Sequence, residues 1–296
     1  MRSESKKEKV VGVIGLGIMG SAMAANLVRA GFSVHGYDIL PARRAALKRG
    51  GGKPSTSAKD VARQAAILIT SLPSAEALHA VSEQLEERTI VVETSTLPIE
   101  DKERARDTLK KKGITLLDCP LSGTGAQAKT KDLVVYGSGD KAAFSKTSAV
   151  LNGFSRAHYY LGTFGNGSRM KFVANLLVAI HNVSAAEAFV LGMKAGLDPD
   201  TILKVAGDGA GASRMFQVRG PQMVAGRYGD ATMKVEVWQK DMKIIGEFAA
   251  RHGVPTPLFN ASAAIYNAAM AQGFGKQDTA SVCAVLERLG GLRRRA

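Results

Sequence analysis

A single lysine, Lys171, stands at the start of a run without charged residues that lasts until Glu187. If the segment from 166 onward is a helix, Lys171 and Asn175 lie four residues apart and share one face. An ammonium group kept from water has a lowered pKa, so it could exchange a proton with a reacting hydroxyl or carbonyl group. The alternative is a lysine that merely reaches water from the end of a buried helix.

A second candidate is a glycine-rich loop with GxGxxG spacing between a predicted strand and a predicted helix. Its residues are Gly15, Leu16, Gly17, Ile18, Met19 and Gly20. The first glycine permits a tight turn, the second lets backbone approach a diphosphate, and the third lets the helix pack on the strand. The diphosphate would lie at the helix N-terminus, where the helix dipole favours anions. The alternative is that these glycines serve only a tight strand-to-helix turn.

Asp38 ends the second predicted strand, which is where a dinucleotide-binding fold places an acidic residue for the ribose. A carboxylate there accepts hydrogen bonds from both ribose hydroxyls and repels a 2′-phosphate. The sequence therefore predicts NAD as cofactor. NADP stays open because Arg43 and Arg44 follow closely.

The elements that must position these residues change in type along the chain. From Val10 to about Tyr160, apolar runs alternate with amphipathic segments; the runs are VVGVIG, FSVHGYD, AILIT, TIVVET, ITLLDC and DLVVYG. Continuous apolar strands are typical of a sheet covered by helices on both faces. Strands and helices in alternation predict a doubly wound parallel sheet of the Rossmann type.

After about Gly162 the sequence becomes Ala-rich with helical periodicity, so the second half is predicted to be all-helical. We expect a solvated lead-in at 1–9, a dinucleotide-binding domain at 10–163 and a helical domain at 164–296. The helical domain would begin with a long inter-domain helix at about 166–195. GLDPD and the pair Pro255 and Pro257 are predicted to separate later helices.

Composition excludes several classes of protein. A hydrophobic fraction of 45% and a charged fraction of 22% are those of a globular protein. The uncharged run is too short for a membrane span, and two distant cysteines without ligand spacing predict no metal and a cytoplasmic location. The net charge of +14 favours anionic small molecules. Nucleic acid is disfavoured because no aromatic residues are interleaved with the basic ones.

Four motifs, in order, resemble those of the β-hydroxyacid dehydrogenase family, which includes 3-hydroxyisobutyrate dehydrogenase and tartronate semialdehyde reductase. They are GLGIMGSAMAANL from Gly15, DCPLSGTGAQA at 118–128, GNGSRMKFVAN at 165–175 and WQKDM at 238–242. The resemblance covers nearly the whole chain. It implies that Lys171 is the general acid/base and that Asn175 helps to hold the substrate.

The same resemblance assigns further site residues. Ser122 and Gly123, with Thr124 beside them, match the loop that grips the substrate carboxylate with a hydroxyl and successive backbone amides. Leu72, Pro73 and Thr96 match positions that line the cofactor, and Lys240 matches a second-domain lysine near the nicotinamide.

Each of these residues also has a simpler interpretation. The Ser122 loop could be an ordinary glycine turn between two strands. Thr96 could be a helix N-cap ahead of Pro98, and Lys240 could be a solvated helix residue.

Three positions depart from the family pattern. Thr124 replaces a common glycine, AKTKDL lacks the glycine that usually precedes the next strand, and Ala77 stands where some relatives carry a cofactor-contacting Asn. These differences do not affect the residues assigned to the chemistry. They do mean that no named substrate of the family can be transferred to this chain.

The sequence thus predicts an NAD(P)-dependent oxidoreductase that acts on a small anionic β-hydroxy acid or its semialdehyde. The resemblance implies a homodimer or homotetramer. The alternatives are a non-catalytic or nucleic-acid-associated dinucleotide-binding module, and a reductase of imines or other aldehydes in the same superfamily. Lys171 argues against imine reduction because imine reductases place a different residue there.

Overall fold

The structure, a computed structural model, describes residues 9–86 and 88–294. The chain divides into two compact units, Met1–Lys171 and Phe172–Ala296. Apart from Lys9, the predicted N-terminal lead-in lies outside the described residues.

The strands found in the described residues all lie in the first unit. They are β1 (Val10–Ile14), β2 (Ser33–Tyr37), β3 (Lys53–Pro54), β4 (Ile67–Thr70), β5 (Ile90–Glu93), β6 (Thr115–Asp118), β7 (Leu121–Ser122), β8 (Val134–Gly137) and β9 (Ala157–Tyr160). The helices of this unit are α1 (Ile18–Arg29), α2 (Pro41–Arg49), α3 (Ala58–Gln64), α4 (Ala75–Gln84), α5 (Ile99–Lys111), α6 (Gly125–Lys129) and α7 (Lys141–Phe154), and α8 (Asn166–Lys194) begins in it.

Six strands form a fully parallel sheet in the order β3-β2-β1-β4-β5-β6. Neighbouring residues of one strand enter different cores: Leu68 packs in the core that includes α3, α4 and α5, and Ile69 packs in the core that includes α1 and α7. Successive side chains of a strand point to opposite faces, so both faces are covered by helices. This confirms the predicted doubly wound parallel sheet.

One predicted strand lies outside this sheet. DLVVYG becomes β8, which pairs antiparallel with β7 and parallel with β9 in a separate three-stranded sheet. Only two residues separate β6 from β7, and α6 is a helix of 5 residues. Both connections are too short for the crossover that a further parallel strand requires. The large sheet has β3 as its sixth strand instead. This strand lies at one edge, where Pro54 is tolerated because an edge strand needs fewer backbone donors.

The missing glycine of AKTKDL has a measurable effect on the backbone. Lys131 has a φ of 63° and is the one non-glycine residue with positive φ in the described part of the chain. The left-handed region costs a residue with a Cβ roughly 1–2 kcal/mol. The chain pays this cost where α6 turns back toward β8.

Lys131→Gly should therefore raise the free energy of unfolding by about 0.5–1 kcal/mol, since the relief of strain exceeds the added entropy of the unfolded chain. Chemical denaturation measures the change. The matched control is Lys129→Gly in the last turn of α6, where glycine should lower stability by a similar amount. Equal destabilisation by both variants would contradict the assignment of strain to Lys131.

The second unit consists of helices. It contains most of α8, and the helices that follow are α9 (Pro199–Asp208), α10 (Arg214–Ala225), α11 (Val235–Arg251), α12 (Pro257–Ala271), a 3-10 helix (Thr279–Ser281) and α13 (Val282–Leu289). The Asp198 side chain accepts a hydrogen bond from the Thr201 amide and caps α9, which starts with Pro199. Pro257 starts α12. Both breaks fall where the prolines predict them, and the all-helical second half is confirmed.

The long helix α8 has 29 residues. By length and composition, α8 is the one helix among the described residues that could cross a membrane. Its most apolar 18-residue segment has a mean hydropathy of 1.6, and 33% of that segment is buried in the protein. The Asn182 amide on α8 donates hydrogen bonds to the Tyr266 hydroxyl and the Thr279 carbonyl, each at 2.9 Å. One side of α8 is therefore packed against the helices of the second unit.

Candidate active site

The site residues of the first unit gather at the carboxyl ends of the parallel strands. The glycine loop follows β1, Leu72 and Pro73 follow β4, Thr96 follows β5, and the loop from Ser122 comes shortly after β6. In an open parallel sheet this edge forms the crevice where ligands bind. The fold thus brings together motifs that are more than 100 positions apart in the sequence.

The three glycines of the loop have different surroundings. Gly15 has a φ of 90°, and a Cβ built on Gly20 would lie 1.8 Å from the Gly15 carbonyl oxygen. A Cβ built on Gly17 would meet only the Arg43 guanidinium, at 4.0 Å. Gly20 therefore serves close packing inside the protein. The space at Gly17 is open, which is what a bound diphosphate requires.

The N-terminus of α1 is suited to an anion. Gly17 is its N-cap, no side chain caps it, and its first turn contains no acidic residue. The first amides of a helix have no acceptor within the helix and lie at the positive end of the helix dipole. These amides can receive the diphosphate of a dinucleotide.

Asp38 is buried and holds the glycine loop in place. Its Oδ2 accepts hydrogen bonds from the Leu16 amide at 2.8 Å and from Arg43 at 3.1 Å, and its Oδ1 accepts one from the Leu40 amide at 2.9 Å. Burial alone would raise the pKa of this carboxyl. The bonds from Leu40, Leu16 and Arg43 outweigh burial and hold the pKa below its ordinary value. Asp38 is therefore charged at neutral pH.

The segments after β4 and β5 are tied to each other. The Leu72 amide donates a hydrogen bond to Ser95 Oγ at 2.8 Å, and the Ser95 amide donates one to Glu93 Oε1 at 2.9 Å. Thr96 follows directly and is half-buried. The N-cap of α5 is Pro98, so the interpretation of Thr96 as a helix cap is wrong.

The loop from Ser122 is more than a turn between two strands, because α6 begins within it. Gly123 has a φ of 130°, and Thr124 is the N-cap of α6. The Thr124 amide donates to Gln127 Oε1 at 3.0 Å. A carboxylate bound here would thus meet the Ser122 hydroxyl and the Gly123 backbone, while the amide of Thr124 is already engaged.

This loop lies beside the glycine loop. A Cβ built on Gly125, in the first turn of α6, would lie 2.5 Å from Ile18 Cγ2. Ile18 belongs to the glycine loop, so the predicted dinucleotide loop and the predicted carboxylate loop meet at this contact. A substrate held at Ser122 would lie close to a cofactor held at Gly17.

Lys171 lies in the second turn of α8, and its side chain is buried, with 8% of the residue exposed. A solvated lysine at a helix end would be far more exposed. The burial favours the prediction that this charge is kept from water for a purpose.

In the second unit, the structure adds a residue to which the sequence assigned no role. The Asn175 amide nitrogen donates a hydrogen bond to Asp241 Oδ2 at 3.0 Å, and both residues are buried. Lys240 Nζ lies 3.8 Å from Asp241 Oδ1. A carboxylate only accepts hydrogen bonds, so the Asn175 amide nitrogen is the group that is committed to Asp241. The helical periodicity of α11 is the signal that could have identified Asp241, because it places Asp241 on the buried face with Trp238 and Met242.

Within the described ranges, no group of three or more His, Cys, Asp and Glu side chains could hold a metal ion. Cys119 and Cys283 are free and buried.

Two family models match the chain. Residues 10–162 match the NAD-binding domain of 6-phosphogluconate dehydrogenase. Residues 165–286 match the NAD-binding region of NADP-dependent 3-hydroxyisobutyrate dehydrogenase. Together they cover nearly all of the described residues.

Relatives and a solved structure agree with these models. The chain is 31% identical to an L-threonate dehydrogenase of Cupriavidus necator, over 92% of this chain and 94% of that protein. It is 30% identical to a 2-(hydroxymethyl)glutarate dehydrogenase of Eubacterium barkeri, over 97% and 98% of the two chains. The crystal structure of a 3-hydroxyisobutyrate dehydrogenase from Salmonella typhimurium superposes with a TM-score of 0.85, at 29% identity, over 94% of this chain and 100% of that one.

Proposed function

This chain belongs to the 3-hydroxyisobutyrate dehydrogenase family, and from that premise we propose that it oxidises or forms a small β-hydroxy acid with NAD(H). The observation that carries the proposal is the burial of Lys171 in a unit that also contains an open dinucleotide loop. A binding module would need the loop but not a buried lysine. The nucleic-acid-associated alternative has no comparable support.

The first unit fits the cofactor. The open space at Gly17 and the uncapped start of α1 would receive the diphosphate, and Asp38 would accept the ribose hydroxyls. Leu72 and Thr96 would line the same crevice. When bound, the nicotinamide ring gives or accepts the hydride.

Lys171 handles the proton in this proposal. In the reductive direction its ammonium donates a proton to the carbonyl oxygen of the semialdehyde as that oxygen becomes a hydroxyl group. In the oxidative direction its amine accepts the proton of the hydroxyl group. Burial excludes water, which would otherwise compete for the proton and weaken the electrostatic interaction.

Two further groups would hold the substrate. The Ser122 hydroxyl and the Gly123 backbone receive the carboxylate. Asn175, whose amide nitrogen is committed to Asp241, offers its carbonyl oxygen to the substrate hydroxyl group. The net charge of +14 favours the approach of both anionic ligands.

The names of the relatives point to one substrate class. L-Threonate, 2-(hydroxymethyl)glutarate and 3-hydroxyisobutyrate are all carboxylic acids with a hydroxyl group on the carbon β to a carboxylate, and L-threonate carries another on the α carbon. We assign this chain to that class without choosing a member, because Thr124 changes the loop where the acid would bind.

A cofactor-absorbance screen tests the proposal. Small β-hydroxy acids and their semialdehydes are offered with NAD(H) and NADP(H), and simple alcohols and aldehydes without a carboxylate serve as negative controls. Turnover confined to β-hydroxy acids or their semialdehydes is expected. Turnover of simple alcohols at equal efficiency would contradict a carboxylate grip at Ser122.

NAD is proposed as the preferred cofactor because Asp38 is charged and ends the second strand, where a carboxylate would accept the ribose hydroxyls and repel a 2′-phosphate. Asp38→Ala should raise the ratio of kcat/KM with NADP to kcat/KM with NAD by about 10-fold or more, since repulsion of the 2′-phosphate is lost. Both cofactors are measured on the same variant, so a general loosening of the Leu16 loop cancels in the ratio. An unchanged ratio would remove Asp38 from cofactor selection.

We also propose a cytoplasmic homo-oligomer. Val173, Leu177 and Leu191 are exposed on α8 at helical spacing, with exposed fractions of 52%, 46% and 73%. A second copy of the chain would cover this apolar stripe, and the two free cysteines suit a reducing compartment. Light scattering should give a mass of two or four chains; a mass of one chain would contradict the proposal.

A further inference from the structure

Three charged side chains are completely buried beneath the start of α8. Glu93, Lys102 and Asp118 each have 0% exposure. Lys102 Nζ lies 2.6 Å from Glu93 Oε2 and 2.9 Å from Asp118 Oδ1. The proposed chemistry uses none of these groups directly, so their burial needs another explanation.

Asp118 connects this cluster to the first turn of α8. Its Oδ2 accepts a hydrogen bond from the Ser168 amide at 2.8 Å, and its Oδ1 accepts one from the Ser168 hydroxyl at 2.8 Å. The Ser138 hydroxyl donates to Asp118 Oδ2 at 3.2 Å and accepts from the Gly167 amide at 2.9 Å. The Ser168 amide at the start of the helix is therefore held by Asp118, and the Gly167 amide is held by Ser138, which itself bonds to Asp118.

The turn held in this way is the one that supports Lys171. Gly167 and Ser168 precede Lys171 by four and three residues, so all three lie on one face of α8. Long side chains in helices lean back toward the preceding turn. A Cβ built on Gly167 would lie 2.3 Å from the Tyr136 carbonyl oxygen. The backbone at the helix start therefore packs directly against the backbone of Tyr136, with no space for a side chain between them.

The Lys102 ammonium group lies between the carboxyl groups of Asp118 and Glu93. Burial alone would lower the pKa of the Lys102 ammonium, but the carboxylates of Asp118 and Glu93 outweigh burial and raise that pKa. The Asp118 carboxyl group also lies at the positive end of the α8 dipole, where it accepts from the Ser168 amide. The helices α4 and α10, by contrast, start from a single serine cap, Ser74 and Ser213, each of which lies nearer the surface.

We propose that Asp118, held by Lys102 and Glu93, is a positioning residue that fixes the first turn of α8 and thereby aims Lys171 at the reacting oxygen. The inference rests on the proposed role of Lys171. It adds that Asp118 and α5, to which no contact with cofactor or substrate is assigned, determine the rate of proton transfer through the orientation of that lysine.

The test is a double-mutant cycle between Asp118→Asn and Lys171→Ala, read as kcat and KM under saturating cofactor. Asparagine keeps the shape but turns an N–H donor toward Lys102 or Ser168, so the first turn loses its fixed position. Asp118→Asn should lower kcat by about 100-fold, as a displacement near 1 Å of a catalytic group does, while KM and NADH binding change little. In the Lys171→Ala background the same substitution should have no further effect on kcat, because the residue that it positions is gone.

Two companion variants keep the test decisive. Ser168→Ala removes only the hydroxyl bond to Asp118; it should lower kcat to a lesser degree with the same loss of effect in the Lys171→Ala background, and it replaces Asp118→Asn if that variant does not fold. Leu109→Ala removes a buried side chain from α5, the helix that carries Lys102, without touching a hydrogen bond to α8. It should lower the melting temperature and leave kcat unchanged below that temperature.

The outcomes separate the two proposals. Wild-type kcat in Lys171→Ala would overturn the role of Lys171 itself. A slow Lys171→Ala enzyme in which Asp118→Asn causes a further loss of the same size as in the wild type would overturn the positioning role alone. A rise in KM at constant kcat, or a loss of kcat in Leu109→Ala equal to that in Asp118→Asn, would also overturn it.

Discussion

Lys171→Ala should lower kcat by about 10²–10⁴-fold, the usual contribution of a positioned general acid or base. NADH binding should remain close to that of the wild type, because the proposed cofactor contacts, the dinucleotide loop and Asp38, do not involve the lysine. Stopped-flow or steady-state absorbance of the reduced nicotinamide gives kcat, and fluorescence titration gives the dissociation constant of NADH. The two measurements together separate a lost proton donor from a lost cofactor site.

The chain offers a matched control for this substitution. Lys194, in the last turn of the same helix, is exposed, and Lys194→Ala removes an equal charge without affecting a buried group. It should leave kcat unchanged. Added small primary amines should restore part of the lost rate in Lys171→Ala but not in Asp118→Asn, since only the first variant leaves a space of the right chemistry.

Gly17→Ala should weaken NADH binding by about 10–100-fold while leaving the melting temperature unchanged. In the protein itself an added methyl group at Gly17 meets nothing closer than Arg43 at 4.0 Å, and the φ of −68° suits alanine. The methyl group would instead occupy the space that a diphosphate needs, and crowding of this kind costs about 1–3 kcal/mol. Calorimetric titration and thermal melting measure the two effects separately.

Gly20→Ala is the control that distinguishes a ligand cradle from a structural glycine. Its methyl group would fall 1.8 Å from the Gly15 carbonyl oxygen, so this variant should lose stability as well as NADH binding. If Gly17→Ala binds NADH as well as the wild type does, the loop is only a tight turn and the cofactor lies elsewhere.

Much of the fold could be predicted because its causes are local. Continuous apolar runs such as AILIT indicate strands covered on both faces, and Asp198 with Pro199 marks the start of a helix. Pairing between strands is decided by the lengths of the connections and by distant partners. For that reason DLVVYG was correctly predicted as a strand, but it lies in a second sheet.

The candidate site divides in the same way. The glycine loop and Asp38 can be recognised in the sequence because their spacing reflects contacts with one ligand. Asp118 and Asp241 are adjacent to recognised residues, yet nothing local indicates that Asp118 binds the Ser168 amide or that Asp241 binds Asn175. Their roles depend on partners 50 and 66 positions away. A buried carboxylate can be given a function only when its donors are known.

The departures from the family pattern have unequal consequences. The missing glycine of AKTKDL places Lys131 in a strained backbone conformation. Thr124, in place of another glycine, starts a helix and directs its amide to Gln127. The first affects stability, and the second removes one donor from the loop where the substrate carboxylate would bind.

The central claim is that hydride passes between the cofactor and the carbon β to the carboxylate, with Lys171 as the proton partner. NADH that carries deuterium on the transferred position of C4 tests it most directly, with a semialdehyde selected by the substrate screen. The wild type should place deuterium on that β carbon, and Lys171→Ala should form at most about 1% as much labelled product in the same time. Product without deuterium, or equal labelling by Lys171→Ala, would contradict the account.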